Sequence, residues 1–407
     1  MGQWTWKRRH IGPIGLDIGH ASIKMLQLSG DGRRLSVHRL LERRVPACGD
    51  DDETRRQGAI LTMKGMLEEG DFHGTEAAVC LANDRLKVTS VRLSESDVTQ
   101  TAAQLYKEAA LRFGLDPGQD PIQYIPAGTV RQGDQVRHEV ILFATGRRET
   151  EEDLAVLDQV GLTAVGLEPI ACALARGFDR TLWRDEDKSG TSILVDVGRR
   201  STTVVFSRAG EISFVKVVPA GVERFDQEIA AKLGVEPAEA ETLRKTWRSA
   251  TVEGSDVSLA IPVGTGTQSD SLSHPVSRHP KGLDPSVTRT LADTVRGVAE
   301  ALAREVSLCV RYYTVTFRGH AIERVIVCGG GAYEPLLLAT IKAQVGVEVE
   351  TARPFRGMGG CTDGRDNPSQ QGGCEWAVAL GLALKGWPAI EGPTSPGNSR
   401  RSLVPAL

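Results

Sequence analysis

The sequence predicts an α/β chain of two domains related by an internal repeat, and three observations carry that expectation. The pattern strand, Asp-X-Gly, strand, Gly turn, strand occurs at Asp17-Ile18-Gly19 and again at Asp196-Val197-Gly198. Each copy is followed by alternating helical and strand-like segments, as mixed α/β layers require. A chain of 407 residues with 40% apolar side chains can also bury more than one ordinary core.

The first repeat reads as strands Ile14 to Ile18, Ser22 to Leu28 and Leu35 to Arg43, joined by Gly19-His20 and by Ser29-Gly30-Asp31-Gly32. A helix around Thr54 to Leu67 follows, then strands Ala77 to Leu81 and Leu86 to Leu93. Ser96 or Asp97 can cap a helix running to Phe113, and strands return at Ile122 to Ile125 and Val136 to Ala144. Glu149 to Gln159 is helical, and Leu167 to Gly177 has the Ala/Leu spacing of a buried helix with Pro169 in its first turn. The second meander comprises Ser192 to Val197, Thr202 to Ser207 and Ile212 to Val218. Between about Ala250 and Pro285 the chain is rich in Ser, Gly, Thr and Pro, too poor in apolar groups to offset ordering, and is expected to be a flexible excursion. A long helix from about Val287 to Phe317 precedes the strand Arg324 to Val327, the Gly329-Gly330-Gly331 turn, a helix over Leu336 to Val345 and a final helix, Glu375 to Lys385.

A formal net charge of −3 offers no broad attraction to nucleic acid or anionic membranes. Seven cysteines lie far apart without CxxC pairs, which favours reduced thiols in a cytoplasmic setting; Cys361 and Cys374 are the nearest to a pair. The segment Met1 to His10 carries Trp4, Trp6 and a basic trio but no apolar stretch follows it, and no direct membrane span is expected.

The chemistry lies at the repeated turns. Asp17 leaves a carboxylate at a strand end, and Gly19 lets backbone amides turn toward phosphate oxygens. A single Asp-X-Gly is an ordinary turn signal; two copies heading matched meanders point to a pair of loops facing each other across an interdomain cleft. There the aspartates, Asp17 and Asp196, are candidate magnesium ligands through its water shell. Ser22 and Lys24 flank the first loop, while Gly198, Ser201 and Thr202 flank the second, with Arg199 and Arg200 adding positive charge. The apolar strand Val325-Ile326-Val327 ends in Gly329, Gly330 and Gly331, where backbone can approach a flat base or ribose.

In this order the motifs resemble those of the actin-like ATPase superfamily. Asp17 to Lys24 looks like a first phosphate loop, Glu168-Pro169-Ile170-Ala171 a first connecting helix, Asp196 to Thr203 a second phosphate loop, Cys328 to Ala332 an adenosine loop and Glu375 to Ala383 a closing helix. Within the superfamily, Gly15-Leu16-Asp17-Ile18-Gly19 with Ile23-Lys24, the Gly161-Leu162 to Glu168 passage, the Ala238 to Arg244 run and Arg311-Tyr312-Tyr313 resemble the type IV pilus assembly PilM family from Ile14 to about Lys385. The resemblance implies an actin-like (ribonuclease H-like) two-domain fold with a nucleotide cleft and an inserted α/β subdomain. Its limits would be 11–93 and 163–190 for the first domain, with closing helix 375–387, 94–162 for the insert, 191–374 for the second domain with a flexible loop 250–285, and 388–407 for a disordered tail.

The same resemblance implies ATP and Mg2+ as ligands, Glu168 and Asp196 in catalytic positions, and Glu241 and Arg244 near the adenine. It implies as partner the N-terminal peptide of an inner-membrane PilN-like protein, received in a groove between the insert and the first domain. The protein would then be a cytoplasmic scaffold at the inner face of the inner membrane, serving pilus assembly or a related type II secretion machine. Self-association is left open, and the cell-division protein FtsA shares the layout, though its amphipathic C-terminal helix has no counterpart in Pro388 to Leu407. A small-molecule kinase of the superfamily would need a base facing the phosphate, for which only Glu168 offers itself. Ala220-Gly221 replaces the usual Gly-Gly after the second meander, and Arg199-Arg200 replaces small residues, so hydrolysis is expected to be slow at most.

Overall fold

The computed structural model describes residues 10–31, 34–45, 52–94, 101–180, 190–208, 210–253, 284–317, 321–359 and 373–388. The expectations for the N-terminal tail, the polar stretch 254–283, the loop holding Cys361 and the tail from 389 fall outside these residues. In chain order the first half runs β1 (His10–Ile18), β2 (Ser22–Gly30), β3 (Leu35–Arg44), α1 (Asp52–Gly70), β4 (Glu76–Leu81), β5 (Lys87–Leu93), α2 (Thr101–Phe113), β6 (Ile122–Gln132), β7 (Gln135–Ala144), α3 (Arg147–Gln159), β8 (Thr163–Pro169) and α4 (Ile170–Asp179). The second half runs β9 (Thr191–Val197), β10 (Thr202–Arg208), β11 (Glu211–Val218), α5 (Val222–Leu233), α6 (Pro237–Glu253), α7 (Pro285–Thr316), β12 (Ile322–Cys328), α8 (Pro335–Val345), β13 (Glu348–Thr351) and α9 (Ala377–Ala383).

Two five-stranded sheets share one topology. In the order β3-β2-β1-β4-β8 the first three strands meander antiparallel and the last two join in parallel; β11-β10-β9-β12-β13 repeats the arrangement. Strands β2 and β9 are buried at every position, as expected of strands covered on both faces. Ile193, Leu194, Val195 and Val197 make β9 an apolar run that a single acid, Asp196, interrupts at its end. Helix α7 buries Leu291, Val295, Val298, Leu302, Val306, Cys309 and Tyr313 at three- and four-residue spacing, and Asp284 caps its start by accepting from the Ser286 amide at 2.8 Å. Tyr313 in turn stacks between Phe206 and Phe317, with ring centroids 4.5 and 4.8 Å away.

Helices α4 and α9 cross between the sheets. Their contact is built from small residues, Ala173 and Gly177 against Ala377 and Gly381, so backbone meets backbone. A Cβ placed on Gly381 would stand 1.9 Å from the Ala173 carbonyl oxygen. No helix among the described residues is long and apolar enough to cross a membrane, and the described cysteines Cys80, Cys172, Cys309, Cys328 and Cys374 are free thiols.

Three local expectations change. Leu167 to Gly177 is not one helix: Thr163–Pro169 pairs in parallel with β4, and the helix starts only at Ile170 because Pro169 is extended, with φ −61° and ψ 143°. Glu168 therefore ends a strand. The strand β5, expected with the first domain, pairs with β7 in a separate three-stranded sheet, β5-β7-β6. Ala250 to Glu253, expected in the polar excursion, continues α6 instead.

Gly381→Val should cost about 3 kcal/mol of stability, the upper end for overpacking, since the clash here cannot be relieved by a flexible side chain. Urea unfolding checks it; a change under about 1 kcal/mol would show that α4 and α9 separate freely.

Candidate functional site

A cleft of about 920 Å³ opens between the two like sheets. Its walls include Asp17, Gly19, Ser22 and Lys24 from the first loop, Asp196, Gly198 and Ser201 from the second, and Gly329 and Gly330 after β12. Pairing explains the placement: β1 and β9 occupy equivalent central positions in their sheets, so the carboxylates at their ends meet at the same cleft.

Burial penalises charge on both acids. Desolvation raises the Asp17 carboxyl, with Lys24 opposing it and Glu42 adding to it. For Asp196 burial comes first, the neighbouring Asp17 charge second, and together they push the carboxyl up to about 7, while Lys24 and a hydrogen bond from Cys328 pull it down. Lys24 is correspondingly embedded, its Nζ 3.1 Å from Ser22 Oγ, 3.6 Å from Glu42 and 3.9 Å from Asp17. Desolvation lowers its pKa, but the surrounding acids outweigh that and hold it above the usual lysine value. Ser22 is oriented by donating to Glu42 at 2.6 Å.

The second loop is seated by glycine contacts. Val222 and Glu223 at the start of α5 donate their amides to the Gly198 and Arg199 carbonyls at 2.9 and 2.8 Å. Gly221 makes this approach possible, because a Cβ there would fall 2.4 Å from the Gly198 carbonyl oxygen. Gly329 adopts φ +76°, a left-handed conformation that L side chains rarely take, and a Cβ would meet Asp196 Oδ1 at 2.5 Å. The glycine turn is thereby pressed against the second aspartate.

Several expected residues serve differently. Glu168 does not line the cleft; it is 1% exposed, grips Arg176 through both oxygens at 2.5 and 2.7 Å, and lies 3.2 Å from Lys385. Its place on β8 directs it to a small recess beside the three-stranded sheet. Thr202 is also away from the cleft, its hydroxyl donating to the Ala220 carbonyl at 2.7 Å. Gly221 and Gly331 support the loops from behind, Gly331 lying against Val197. Glu241 and Arg244 do face the cleft. Arg244, however, is buried in ion pairs with Asp226 at 2.7 Å and with Glu334, and Glu241 pairs with Lys245 and, at 3.3 Å, Arg199. The loop arginines likewise face acids, Arg199 meeting Asp226 at 2.8 Å and Arg200 meeting Glu223 at 3.3 Å.

Sequence reasoning missed Asn83, Arg44, Arg248 and Tyr333, all of which line the cleft. Arg44 at the end of β3 reaches Glu241 of α6 across the opening at 3.8 Å. Arg248 lies over the Tyr333 ring, 5.9 Å from its centroid. Asn83 donates to Ser201 and Thr203. None of the four carries a local motif; only the Asn83-Asp84 turn signal after a strand was legible.

The acid pair makes a pH-dependent prediction for the ligand-free protein. With the Asp196 carboxyl at about 7 when folded and near 4 when unfolded, the native state binds the extra proton between those values, so stability falls as pH rises through that window. Asp196→Asn should therefore gain little at pH 4 and on the order of 2 to 4 kcal/mol at pH 8 relative to wild type. Melting at both pH values tests this, and a gain independent of pH would contradict it.

Residues 292–387 match the family model of the type IV pilus assembly protein PilM. The chain is similar to a solved PilM-PilN type IV pilus biogenesis complex, with 19% identity and a TM-score of 0.70 over 93% of this chain and 99% of that one. Remoter likenesses are to the ethanolamine utilization protein EutJ from Carboxydothermus hydrogenoformans, with 18% identity and a TM-score of 0.49 over 93% and 90% of the two chains. Another is component A of the Acidaminococcus fermentans (R)-2-hydroxyglutaryl-CoA dehydratase, with 14% identity and a TM-score of 0.40 over 93% and 97%. The chain therefore has an actin-like two-domain fold, and its stretch 292–387 matches the family model of the type IV pilus assembly protein PilM.

Proposed function

We propose that this chain is an ATP-binding, actin-like scaffold of type IV pilus assembly that recruits the N-terminal peptide of a PilN-like inner-membrane protein, and through it sits at the cytoplasmic face of that membrane. The observation that carries the nucleotide half is the cleft between the like sheets, where two buried aspartates and a glycine turn converge. Its volume suits a nucleotide. Mg2+ with ATP would supply the positive charge that relieves the Asp17–Asp196 repulsion, acting mainly through its water shell. Lys24 balances phosphate charge, and the Gly198 and Gly329 backbones allow close approach. Glu168 is committed to Arg176 and Lys385, which favours a binding protein over a fast hydrolase.

The partner half is supported by the likeness to the PilM-PilN complex and by the recess between β8 and the three-stranded sheet. Leu81, Leu86, Tyr124, Phe143 and Leu167 make it apolar, and Lys385 stands at its edge. The Thr145 hydroxyl, buried and without a hydrogen-bond partner among the described residues, also lines it. An extended peptide placing one apolar side chain there, with a backbone polar group against the Thr145 hydroxyl, would satisfy both features.

Thermal unfolding with saturating Mg-ATP, at about a hundred times its dissociation constant, should show about 2.7 kcal/mol of added stability that Asp17→Ala abolishes. No magnesium-dependent stabilisation of the wild type would remove the nucleotide assignment. Separately, a PilN-like N-terminal peptide titrated by fluorescence anisotropy should bind about 10-fold or more weakly to Tyr124→Ala. Its affinity should differ by about 5- to 150-fold with and without Mg-ATP, the range expected of coupled sites. An unchanged affinity in Tyr124→Ala would exclude the recess as the peptide site.

A further inference from the structure

The turn after β4 touches both aspartate-headed loops. It is closed by the Arg85 amide donating to the Ala82 carbonyl at 3.1 Å. On one side Asp84 Oδ2 lies 3.8 Å from His20 Nε2 of the first loop. On the other, Asn83 Nδ2 donates to Ser201 Oγ and Thr203 Oγ1 of the second, at 2.9 Å each. Thr203 is the register partner of Asp196 across β9 and β10, so their side chains leave the same face of the sheet. The Asn83 amide is thus fixed beside the second aspartate by two hydrogen bonds from its nitrogen.

Its oxygen is not used. Asn83 Oδ1 is buried and has no hydrogen-bond partner among the described residues, although Asn83 lines the cleft. A buried acceptor left unpaired calls for a donor. Phosphate oxygens carry negative charge and would repel a carbonyl oxygen, and no donor among the described residues reaches it. A water molecule fits, because it can donate to the carbonyl while its own oxygen faces a metal ion or a phosphorus atom. A carboxamide that orients water by accepting a hydrogen bond is a recognised arrangement in phosphoryl transfer.

We propose that Asn83 orients a water molecule at the phosphate end of the cleft, a place that Glu168, locked to Arg176 and Lys385, does not reach. The assignment rests on the nucleotide reading above. The water has two sources: the hydration shell of the magnesium ion, or the free water that attacks the terminal phosphate. In the second case its oxygen bonds to the γ-phosphorus, and the bond to the β,γ-bridging oxygen breaks with its electron pair leaving on ADP. The water proton passes to the phosphate product. Asn83 takes no proton and acts as a positioning residue in either case.

The test compares the full wild-type chain with Asn83→Ala and Asn83→Asp, using melting temperature to verify folding. Two quantities are read: the Mg2+ concentration giving half-maximal binding of a non-hydrolysable ATP analogue, and the rate of phosphate release from ATP. Asn83→Ala should raise the magnesium midpoint about 10-fold if the water belongs to the ion. With the midpoint held within about 2-fold, phosphate release should instead fall about 10-fold or more if the water is the nucleophile. Asn83→Asp, which keeps an acceptor oxygen but lacks the amide hydrogens, should restore the affected quantity to within about 3-fold of wild type. The proposal is overturned if Asn83→Ala alters neither quantity, or if Asn83→Asp is as defective as Asn83→Ala. A wild type without magnesium-dependent binding overturns the nucleotide reading together with this one; a normal wild type beside an unaffected Asn83→Ala overturns only the Asn83 assignment.

Discussion

The carboxylates of Asp17 and Asp196 end the leading strands of two sheets with the same topology, and both lie where burial opposes their charge. Much of the surrounding structure answers that constraint. Lys24 is held between Asp17 and Glu42. Gly329 in its left-handed conformation lets the β12 turn press against Asp196, where no larger residue fits. Gly221 lets α5 donate amides to the second loop. Concentrating like charge where burial opposes it costs stability without a cation and favours binding one, as expected where function is favoured over maximal stability.

Around this centre the arginines are consumed by acids. Arg244 joins α6 to Asp226 on α5 and to Glu334 before α8, so the wall of the cleft in the second half is one connected unit. Such a network is strongly disrupted by losing one member, because the remaining charge stays buried. Some polar contacts cross between the halves at the cleft itself. Arg44 to Glu241 and Asn83 to Ser201 and Thr203 are of this kind, placed where a change in the cleft can make or break them.

Glu168 connects two features that are far apart in sequence. Arg176, which it grips, also donates to the Gly381 carbonyl at 2.7 Å, and Lys385 follows α9 directly. The α4–α9 crossing between the sheets and the apolar recess therefore share a buried ion pair.

The sequence alone determined the duplication. Asp-X-Gly at a strand end, twice, with glycine turns at matching positions, depends on local chemistry, and local chemistry survives in a linear string. Asp17, Asp196 and the Gly329 turn were legible for that reason, as were the meanders and the long helix. Only tertiary structure decided the rest. Glu168 is a carboxylate in a familiar position until Arg176 and Lys385 occupy it. Lys87–Leu93 is an ordinary strand until β7 supplies its partner. Asn83 is a turn residue until Ser201 and Thr203, more than a hundred positions away, reach its amide. The physical reason is the same in each case: pairing partners, charge compensation and desolvation are properties of neighbours in space, and sequence spacing does not encode them.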